Sequence, residues 1–380
     1  MTVSGEEWKE QRKFSLRIMR DIGMGKQAFE DAILDEIQDM INVVDTKVGE
    51  AITVHPYLGS SISNLLNYMI TGNRLEADNP IRRMIDENFL KRGADVRPSM
   101  FAVMFYMPIF FQIISRIPFS PVTQFIDRAM LAVEYMRKRL NQLKGKYSSD
   151  DEPSNFMEAY LKEMRENTTG KYFDDEHLLG NGFTFFAAGS NTTGDFLTWF
   201  FLLMILEPAI QRKIQKEVDD VIGTQRPSFK IRDNMPYTEA VIHELHRFTS
   251  SVPSGIPHAV GEDVELEGYF LPKGTQVVMS TFAVHMNPEF FDRPEEFIPE
   301  RHLNDGKFVR NEKVMPFGVG KRSCPGEPIA NTQIFLYVTS FMQKYSVAAP
   351  KGRKYTNRGL TDFVGRIPAD SPIDVLFTRR

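Results

Sequence analysis

The sequence predicts a mainly α-helical protein with small β-sheets, an α+β fold class. Apolar residues recur with helical spacing through most of residues 6–250, and short alternating segments are confined to the part that follows Ser250. No internal repeat, low-complexity tract or linker divides the 380 residues. We therefore treat residues 1–380 as a single domain, in which 42% hydrophobic residues are enough for a substantial core.

The predicted helices follow one another with short breaks. In chain order they span residues 6–46 with a break at 23–25, 61–70, 79–90, 121–143, 155–165, 174–206, 208–222, 237–248 and 327–345. The longest helix begins with Asp174, Asp175 and Glu176, which suit the positive end of a helix dipole. Its centre, residues 188–193, is polar among apolar turns, and such a cluster is costly to bury unless it is satisfied or used.

The β structure is predicted in two places. Residues 264–279 alternate and turn as a small sheet does, and residues 372–378 have the pattern of a last strand. Residues 144–153 are polar and residues 293–301 are rich in Pro and Glu, so both are predicted to be irregular.

The composition excludes some classes of protein. A net charge of −4 and a pI of about 6.1 argue against a nucleic-acid partner. A single cysteine allows no internal disulfide and fits a reducing compartment or the cytosolic face of a membrane. No apolar run reaches the roughly 18–20 residues of a spanning helix. Polar residues follow Met1, so no secretory signal is predicted.

The lone cysteine, Cys324, lies between glycines and just before a predicted helix. Backbone N–H groups at a helix N-terminus stabilise a thiolate, and a thiolate is a soft, strongly donating ligand for iron. Gly320 and Gly326 would let the backbone approach a flat macrocycle. Phe317 could cover the sulfur, and Arg322 could reach a carboxylate. The alternative is an inert buried cysteine, which five agreeing positions make the weaker interpretation.

The pattern Phe317-x-x-Gly320-x-Arg322-x-Cys324-x-Gly326 resembles the haem-binding signature of the cytochrome P450 monooxygenases. Other segments resemble further parts of this family in the same order. They are Trp8-x-x-x-Arg12, Ala188-Gly189-Ser190-Asn191-Thr192, Glu244-x-x-Arg247 and Phe297-Ile-Pro299-Glu300-Arg301. Details at residues 226–227, 235–238 and 257–260 resemble the animal microsomal, family-2-like subgroup that oxidises drugs and lipids.

The resemblance implies haem b (iron protoporphyrin IX) as cofactor, with Cys324 as the iron ligand. Trp8, Arg12, Arg322 and His258 would then bind the two propionates, although Trp8 and Arg12 could be a surface pair and His258 a plain strand residue. Phe317, Gly326 and Ala188 would line the macrocycle.

The same resemblance gives Glu244, Arg247 and Arg301 a structural role. With Arg301 available, a buried bidentate network is a better interpretation than a solvated helix pair. We expect this network to support the cysteine segment without taking part in the chemistry.

On the long helix, the resemblance implies that Thr192 helps to deliver protons to dioxygen. The alternative is a threonine that only hydrogen-bonds its own helix. Small residues at Ala187 and Ala188, with Gly189 thinning the helix, would leave room over the haem. Asn191 stands where the family usually has an acidic residue, and an amide cannot cycle a proton at neutral pH.

A hydrophobic substrate is expected from the apolar lining that the resemblance implies. The lining residues are Ala187, Ala188, Val252, Ile256 and Val364, and residues 100–114 would form a lid that dips toward lipid. The resemblance also implies O2, electrons from NADPH-cytochrome P450 reductase, and the cytosolic face of the endoplasmic reticulum membrane. Lys313 and Lys321, near the cysteine, could face an acidic reductase, but a general basic surface is the more common explanation. The family's membrane anchor, first strands and first substrate loop would precede Trp8 and are expected to be missing, which would leave an open pocket.

The predicted function is therefore a haem-thiolate monooxygenase that inserts one oxygen atom into a lipid, steroid or xenobiotic. Asn191 keeps two alternatives open. One is a haem-thiolate isomerase or dehydratase, which needs no external electrons. The other is a haem-binding protein without turnover, which the missing start also favours. A thiol hydrolase, suggested by Cys324 alone, has no motif of its own.

Overall fold

The computed structural model describes residues 3–22, 26–87, 107–146, 152–166, 171–355 and 372–380. Its helices are α1 (Gly5–Ile22), α2 (Gln27–Asp45), α3 (Val54–Thr71), α4 (Pro80–Ile85), α5 (Pro108–Ile114), α6 (Pro121–Lys144), α7 (Phe156–Glu166), α8 (Asp175–Leu206), α9 (Pro208–Val221), α10 (Pro236–Thr249), α11 (Thr281–His285) and α12 (Glu327–Lys344). Short 3₁₀ turns occur at Phe229–Asn234, Pro299–His302 and Gly320–Arg322.

The strands are short and antiparallel. They are β1 (Ala51–Thr53), β2 (His258–Ala259), β3 (Val264–Leu266), β4 (Tyr269–Leu271), β5 (Gln276–Val277), β6 (Leu303–Asn304), β7 (Lys307–Phe308), β8 (Tyr345–Ala348) and β9 (Asp374–Arg379). The predicted fold class, mainly helical with small sheets, is confirmed.

Most helix boundaries agree with the sequence prediction within two residues, and two depart from it. Helix α3 begins at Val54 rather than at residue 61, because Pro56 lies in its first turn, where a proline removes no intrahelical hydrogen bond. Helix α4 ends at Ile85, whereas the predicted helix ran to residue 90. Residues 88–90 of that prediction lie outside the described residues. The predicted helix break at residues 23–25 also lies outside them.

The last strand is the centre of a three-stranded sheet. Strand β9 pairs with β1, where Ile52 lies opposite Val375, and with β8, where Val347 lies opposite Phe377. The sequence analysis predicted β9 but neither partner. The predicted sheet at 264–279 is present as the β3–β4 hairpin and as β5, which pairs with β2.

Helix α8 runs through the core against α3. The Cβ that Gly182 lacks would lie 3.3 Å from Ile70, and the one that Gly194 lacks would lie 3.4 Å from Gly59. Because the partner numbers fall as the α8 numbers rise, the two helices are antiparallel. Close approach at glycines lets their backbones pack tightly.

Aromatic side chains join α8 to the C-terminal elements. Phe201 of α8 makes edge-to-face contacts with Phe341 of α12 at 5.3 Å and with Phe377 of β9 at 5.6 Å. All three are at most 2% exposed. This cluster holds α8 and α12, the two helices that flank the site described below.

Within the described residues, no single helix is long and apolar enough to cross a bilayer. One pair, α8 with α9, meets the length and composition criteria together, but the chain bends by 109° between them.

Candidate functional site

Cys324 lies at the end of a tightly closed loop that leads into α12. Its backbone N–H donates to the carbonyl of Phe317 at 2.7 Å, which closes the loop. Gly320 has φ +73°, a left-handed conformation that favours glycine, and its missing Cβ would touch nothing. Gly326 lies beside the thiol, since its missing Cβ would come within 3.8 Å of the Cys324 sulfur, an ordinary van der Waals contact.

The Cys324 thiol is exposed and accepts the backbone N–H groups of Gly326 and Glu327. Solvent reaches the residue, yet the surrounding protein desolvates the sulfur and raises the thiol pKa. The two N–H groups and the charge of Arg12 act in the opposite direction, as a helix N-terminus should. A cation at the sulfur would therefore release a proton as it binds.

Two guanidinium groups lie beside this thiol on one aromatic ring. The guanidinium carbon of Arg322 lies 3.8 Å from the centre of the Trp8 ring, and that of Arg12 lies 5.9 Å from it. Arg12 donates to the Ser323 carbonyl at 2.7 Å, and Arg322 donates to the Val3 carbonyl at 3.2 Å. The structure thus brings together three of the four predicted propionate-binding residues.

Among the described residues, these two cations have no anionic partner. Desolvation and the charge of Arg12 both lower the pKa of Arg322. Neither arginine has a carboxylate within ion-pair distance among the described residues. Two unpaired guanidinium groups next to an exposed thiol fit a ligand that carries two carboxylates and a soft metal, so the residues present fit a haem.

His258, the fourth predicted propionate ligand, lies on β2 opposite Val277. Its ring makes no hydrogen bond with any described residue, and its role stays a prediction.

Helix α8 exposes a small face at its polar centre. Ala188 and Thr192 are exposed one turn apart, whereas Ser190 and Thr193 are buried. The Thr192 hydroxyl donates to the Ala188 carbonyl at 2.8 Å, which is the alternative bond considered from the sequence. Its lone pairs stay available to another donor. The Asn191 side chain is half-buried and makes no hydrogen bond with a described residue.

Gly189 serves packing rather than space over a ligand. Its Cβ would lie 2.7 Å from Cδ1 of Leu66 on α3, and Leu66 is buried. The space that Gly189 leaves open is therefore filled by α3, and the room over the haem at Ala187 and Ala188 stays a prediction.

Glu244 is the centre of a buried ion network. Arg247 donates to both carboxylate oxygens at 2.7 and 2.9 Å, and Arg301 donates to one of them at 3.1 Å. His302 Nε2 lies 2.8 Å from the other oxygen, and the Ile298 N–H donates at 3.0 Å. Burial alone would raise the pKa of Glu244, but the bonds from Arg247 and His302 lower it to about 2.

The two arginines use their other donors on backbone carbonyls. Arg247 donates to those of His285, Pro294 and Glu296 at 2.8–3.0 Å. Arg301 donates to that of Asp292 at 2.7 Å. The network therefore clamps the irregular segment 285–301 onto α10.

Sequence reasoning missed His302, although it directly follows Arg301. It also missed His285, a polar residue at the end of the otherwise apolar run 282–285. A polar side chain in an apolar run is a weak signal of a buried hydrogen bond.

The predicted substrate residues are scattered over several elements. Ala187 packs against the core from α8, and Val252 and Ile256 are exposed after α10. Val364 lies outside the described residues, as do residues 100–106 of the predicted lid at 100–114.

Comparisons with known proteins agree with this site. The family model described as Cytochrome P450 matches residues 1–369. Cytochrome P450 2J3 of Rattus norvegicus and cytochrome P450 2J2 of Homo sapiens are each 34% identical over 92% of this chain and 70% of their own length. Cytochrome P450 2U1 of Homo sapiens is 31% identical over 99% of this chain and 69% of its own length. The chain therefore belongs to the cytochrome P450 family of haem-thiolate monooxygenases.

Proposed function

We propose that this protein uses haem b, held by Cys324, to insert one oxygen atom from O2 into a hydrophobic lipid, steroid or xenobiotic. Its electrons come from NADPH-cytochrome P450 reductase, and it acts as a single domain at the cytosolic face of the endoplasmic reticulum membrane. The observation that carries the proposal is that Arg12 and Arg322 meet on the Trp8 ring near an exposed thiol, with no carboxylate partner in the part of the chain that the structure describes.

Cys324 would ligate the iron, and Arg12 and Arg322 would bind the propionates, with His258 as a further donor. When bound, the haem supplies the redox chemistry that activates dioxygen. The two N–H groups on the Cys324 sulfur would hold the thiolate in place and temper the charge that it donates.

Thr192 and Asn191 would handle protons on the opposite side. The Thr192 hydroxyl donates its proton to the Ala188 carbonyl, so its oxygen can accept a hydrogen bond from water while it keeps that bond. Asn191 would orient that water through its amide and cannot itself act as an acid.

Apolar exposure supports a hydrophobic substrate and a membrane location. Helix α5 and the turn after it expose Ile109 (74%), Phe110 (47%), Ile113 (54%) and Phe119 (88%). A contiguous stretch of this kind is typical of a surface that contacts lipid or a partner. The exposed Lys313 and Lys321 would face an acidic reductase, although a general basic surface is the more common explanation of such residues.

The proposal is tested first by the reduced carbon-monoxide difference spectrum of the haem-loaded chain. A strongly red-shifted Soret band that disappears in Cys324→Ser would support thiolate ligation. Absence of the band in the parent chain would reject the proposal.

Asn191 favours a second candidate, a haem-thiolate isomerase or dehydratase. Steady NADPH consumption with the reductase, coupled to an oxygenated product, supports the monooxygenase. Product formation from a peroxide substrate without NADPH would support the alternative.

A further inference from the structure

A chain of hydrogen bonds connects α10 to the loop that carries Cys324. His285 Nε2 lies 3.0 Å from the Met315 backbone nitrogen, and His285 Nδ1 lies 2.7 Å from Ser250 Oγ. Ser250 Oγ donates in turn to the Arg247 carbonyl at 3.0 Å. The His285 residue is 0% exposed, so water cannot replace these partners.

The direction of every bond in this chain follows from the donors. The Met315 amide can only donate, so His285 Nε2 must accept. The ring is therefore neutral, with its proton on Nδ1, and it donates to Ser250. A second proton on Nε2 would face the Met315 N–H and break the contact.

Met315 opens the cysteine loop, which we define as residues 315–326. Its carbonyl accepts the Gly318 N–H at 3.1 Å, and the Phe317 carbonyl accepts the Cys324 N–H at 2.7 Å. A displacement of the Met315 backbone is therefore expected to displace Cys324 through these two backbone hydrogen bonds.

The main chain of His285 is also held in place by a hydrogen bond. Its carbonyl accepts Arg247 Nη1 at 2.9 Å, and Arg247 is held by Glu244. His285 thus connects the buried ion network to the cysteine loop through its main chain on one side and its ring on the other.

We propose that neutral His285 is a positioning residue that sets the cysteine loop, and hence the sulfur, by accepting the Met315 N–H. It acts through Met315 and touches no reacting atom. This inference rests on the proposed haem-thiolate function.

The charges around the ring favour its neutral form. Burial first, and then the positive charge of Arg247, lower the pKa of His285 to about 4, while a hydrogen bond with the Arg247 backbone and the charge of Glu244 act in the opposite direction. His246, which lies on α10 with Glu244 and Arg247, is a further titratable ring that interacts with His285. Because the folded-state pKa is depressed, the contribution of His285 is complete above about pH 6.5 and is lost as the pH falls towards 4.

The test uses the haem-loaded, full chain and three variants. His285→Gln keeps an acceptor oxygen near the Nε2 position but cannot take up a proton. His285→Leu removes the acceptor. His243→Gln is the matched control, because His243 is a partly buried ring whose pKa is likewise lowered, to about 3, but it bonds to Asn311 outside the loop.

The measurement is the ratio of the red-shifted to the unshifted Soret band of the reduced carbon-monoxide complex, from pH 7.5 to 4. At neutral pH the ratio should fall about tenfold in His285→Leu, the size expected when one buried donor loses its partner. His285→Gln should retain the ratio and keep it to lower pH than the wild type does. In His243→Gln the ratio should fall at the same pH as in the wild type, even if the pH of global unfolding shifts.

Equal ratios in wild type and His285→Leu would overturn the inference, as would an equal acid shift in His243→Gln and His285→Gln. If His285→Leu does not fold, the pH dependence of the Soret ratio in His285→Gln, compared with that in His243→Gln, still tests the inference. A parent chain without the red-shifted band at any pH would instead reject the proposed function.

Discussion

The guanidinium carbon of Arg322 lies 3.8 Å above the Trp8 ring, two residues before the cysteine that would ligate iron. The guanidinium carbon of Arg12 lies 5.9 Å from the centre of the same ring, and Arg12 donates to the carbonyl of Ser323, the residue between Arg322 and Cys324. An electron-rich face holds the two like charges close together. Helix α1 is thereby attached to the cysteine loop on the side where the propionates are expected.

Removal of one guanidinium should weaken haem binding. We expect Arg12→Leu to lower the affinity of the apoprotein for haem about tenfold, the equivalent of ~1.4 kcal/mol, because one charge-assisted contact is lost. Fluorescence quenching during haem titration measures the affinity. Arg226→Gln is the control, because Arg226 is exposed and pairs with Asp31 and Asp35 on α2. Equal losses in both variants would contradict a specific role for Arg12.

Loss of the Glu244 carboxylate should destabilise the whole fold. In Glu244→Gln the charges of Arg247 and Arg301 stay buried without a counter-charge, which typically costs about 3–5 kcal/mol of the free energy of unfolding. Urea unfolding followed by circular dichroism measures this change. A loss below about 1 kcal/mol would show that the network is dispensable.

The acid sensitivity of the Glu244 network has a definite sign. Its folded-state pKa is lowered to about 2, from the usual 4.5. Its stabilising contribution is therefore full above pH 4.5 and declines as the pH falls towards 2. Between these values, the free energy of unfolding should fall less steeply in Glu244→Gln than in the wild type. Parallel slopes would contradict the assignment.

Two glycines of α8 should respond to alanine in opposite directions. Gly189→Ala should lower the free energy of unfolding by about 1–2 kcal/mol, because its Cβ would overlap with buried Leu66. Gly180→Ala should be neutral or stabilise by up to ~1 kcal/mol, because its Cβ meets nothing and alanine favours the helix. Thermal unfolding of both variants checks this pair. Stabilisation by Gly189→Ala would contradict this prediction, because it would show that Leu66 can move to accommodate the added Cβ.

An acid in place of Asn191 should improve proton delivery. We expect Asn191→Asp to lower the peroxide released per NADPH consumed, because a carboxyl can pass a proton to Thr192 and an amide cannot. Asn191→Gln serves as the control of similar polarity. Unchanged peroxide release in Asn191→Asp would remove the proton-relay argument.

Much of the fold was predictable because its signals are local. Acidic residues at the start of α8 and prolines at the start of α9 and α10 mark helix ends in the sequence itself. The spacing from Phe317 to Gly326 likewise identified the cysteine loop, since a closed turn before a helix needs particular residues at particular positions.

The β-sheet pairings were harder to predict. Strand β1 has only three residues, too few to show an alternating pattern, and its Thr53 bonds to Asp374, 321 positions away. Strand β8 follows α12 without a break, so the predicted helix included its first residue, Tyr345.

By itself, the sequence determined the family, the helix order and the cysteine that is proposed to bind iron. Each of these depends on residue types at short, regular spacing. Only the tertiary structure decided that Gly189 faces α3, that His302 completes the Glu244 network and that His285 holds Met315. Those roles depend on which side chains meet across distant segments. Burial makes these contacts important, because a buried polar group that loses its partner cannot form a hydrogen bond with water instead.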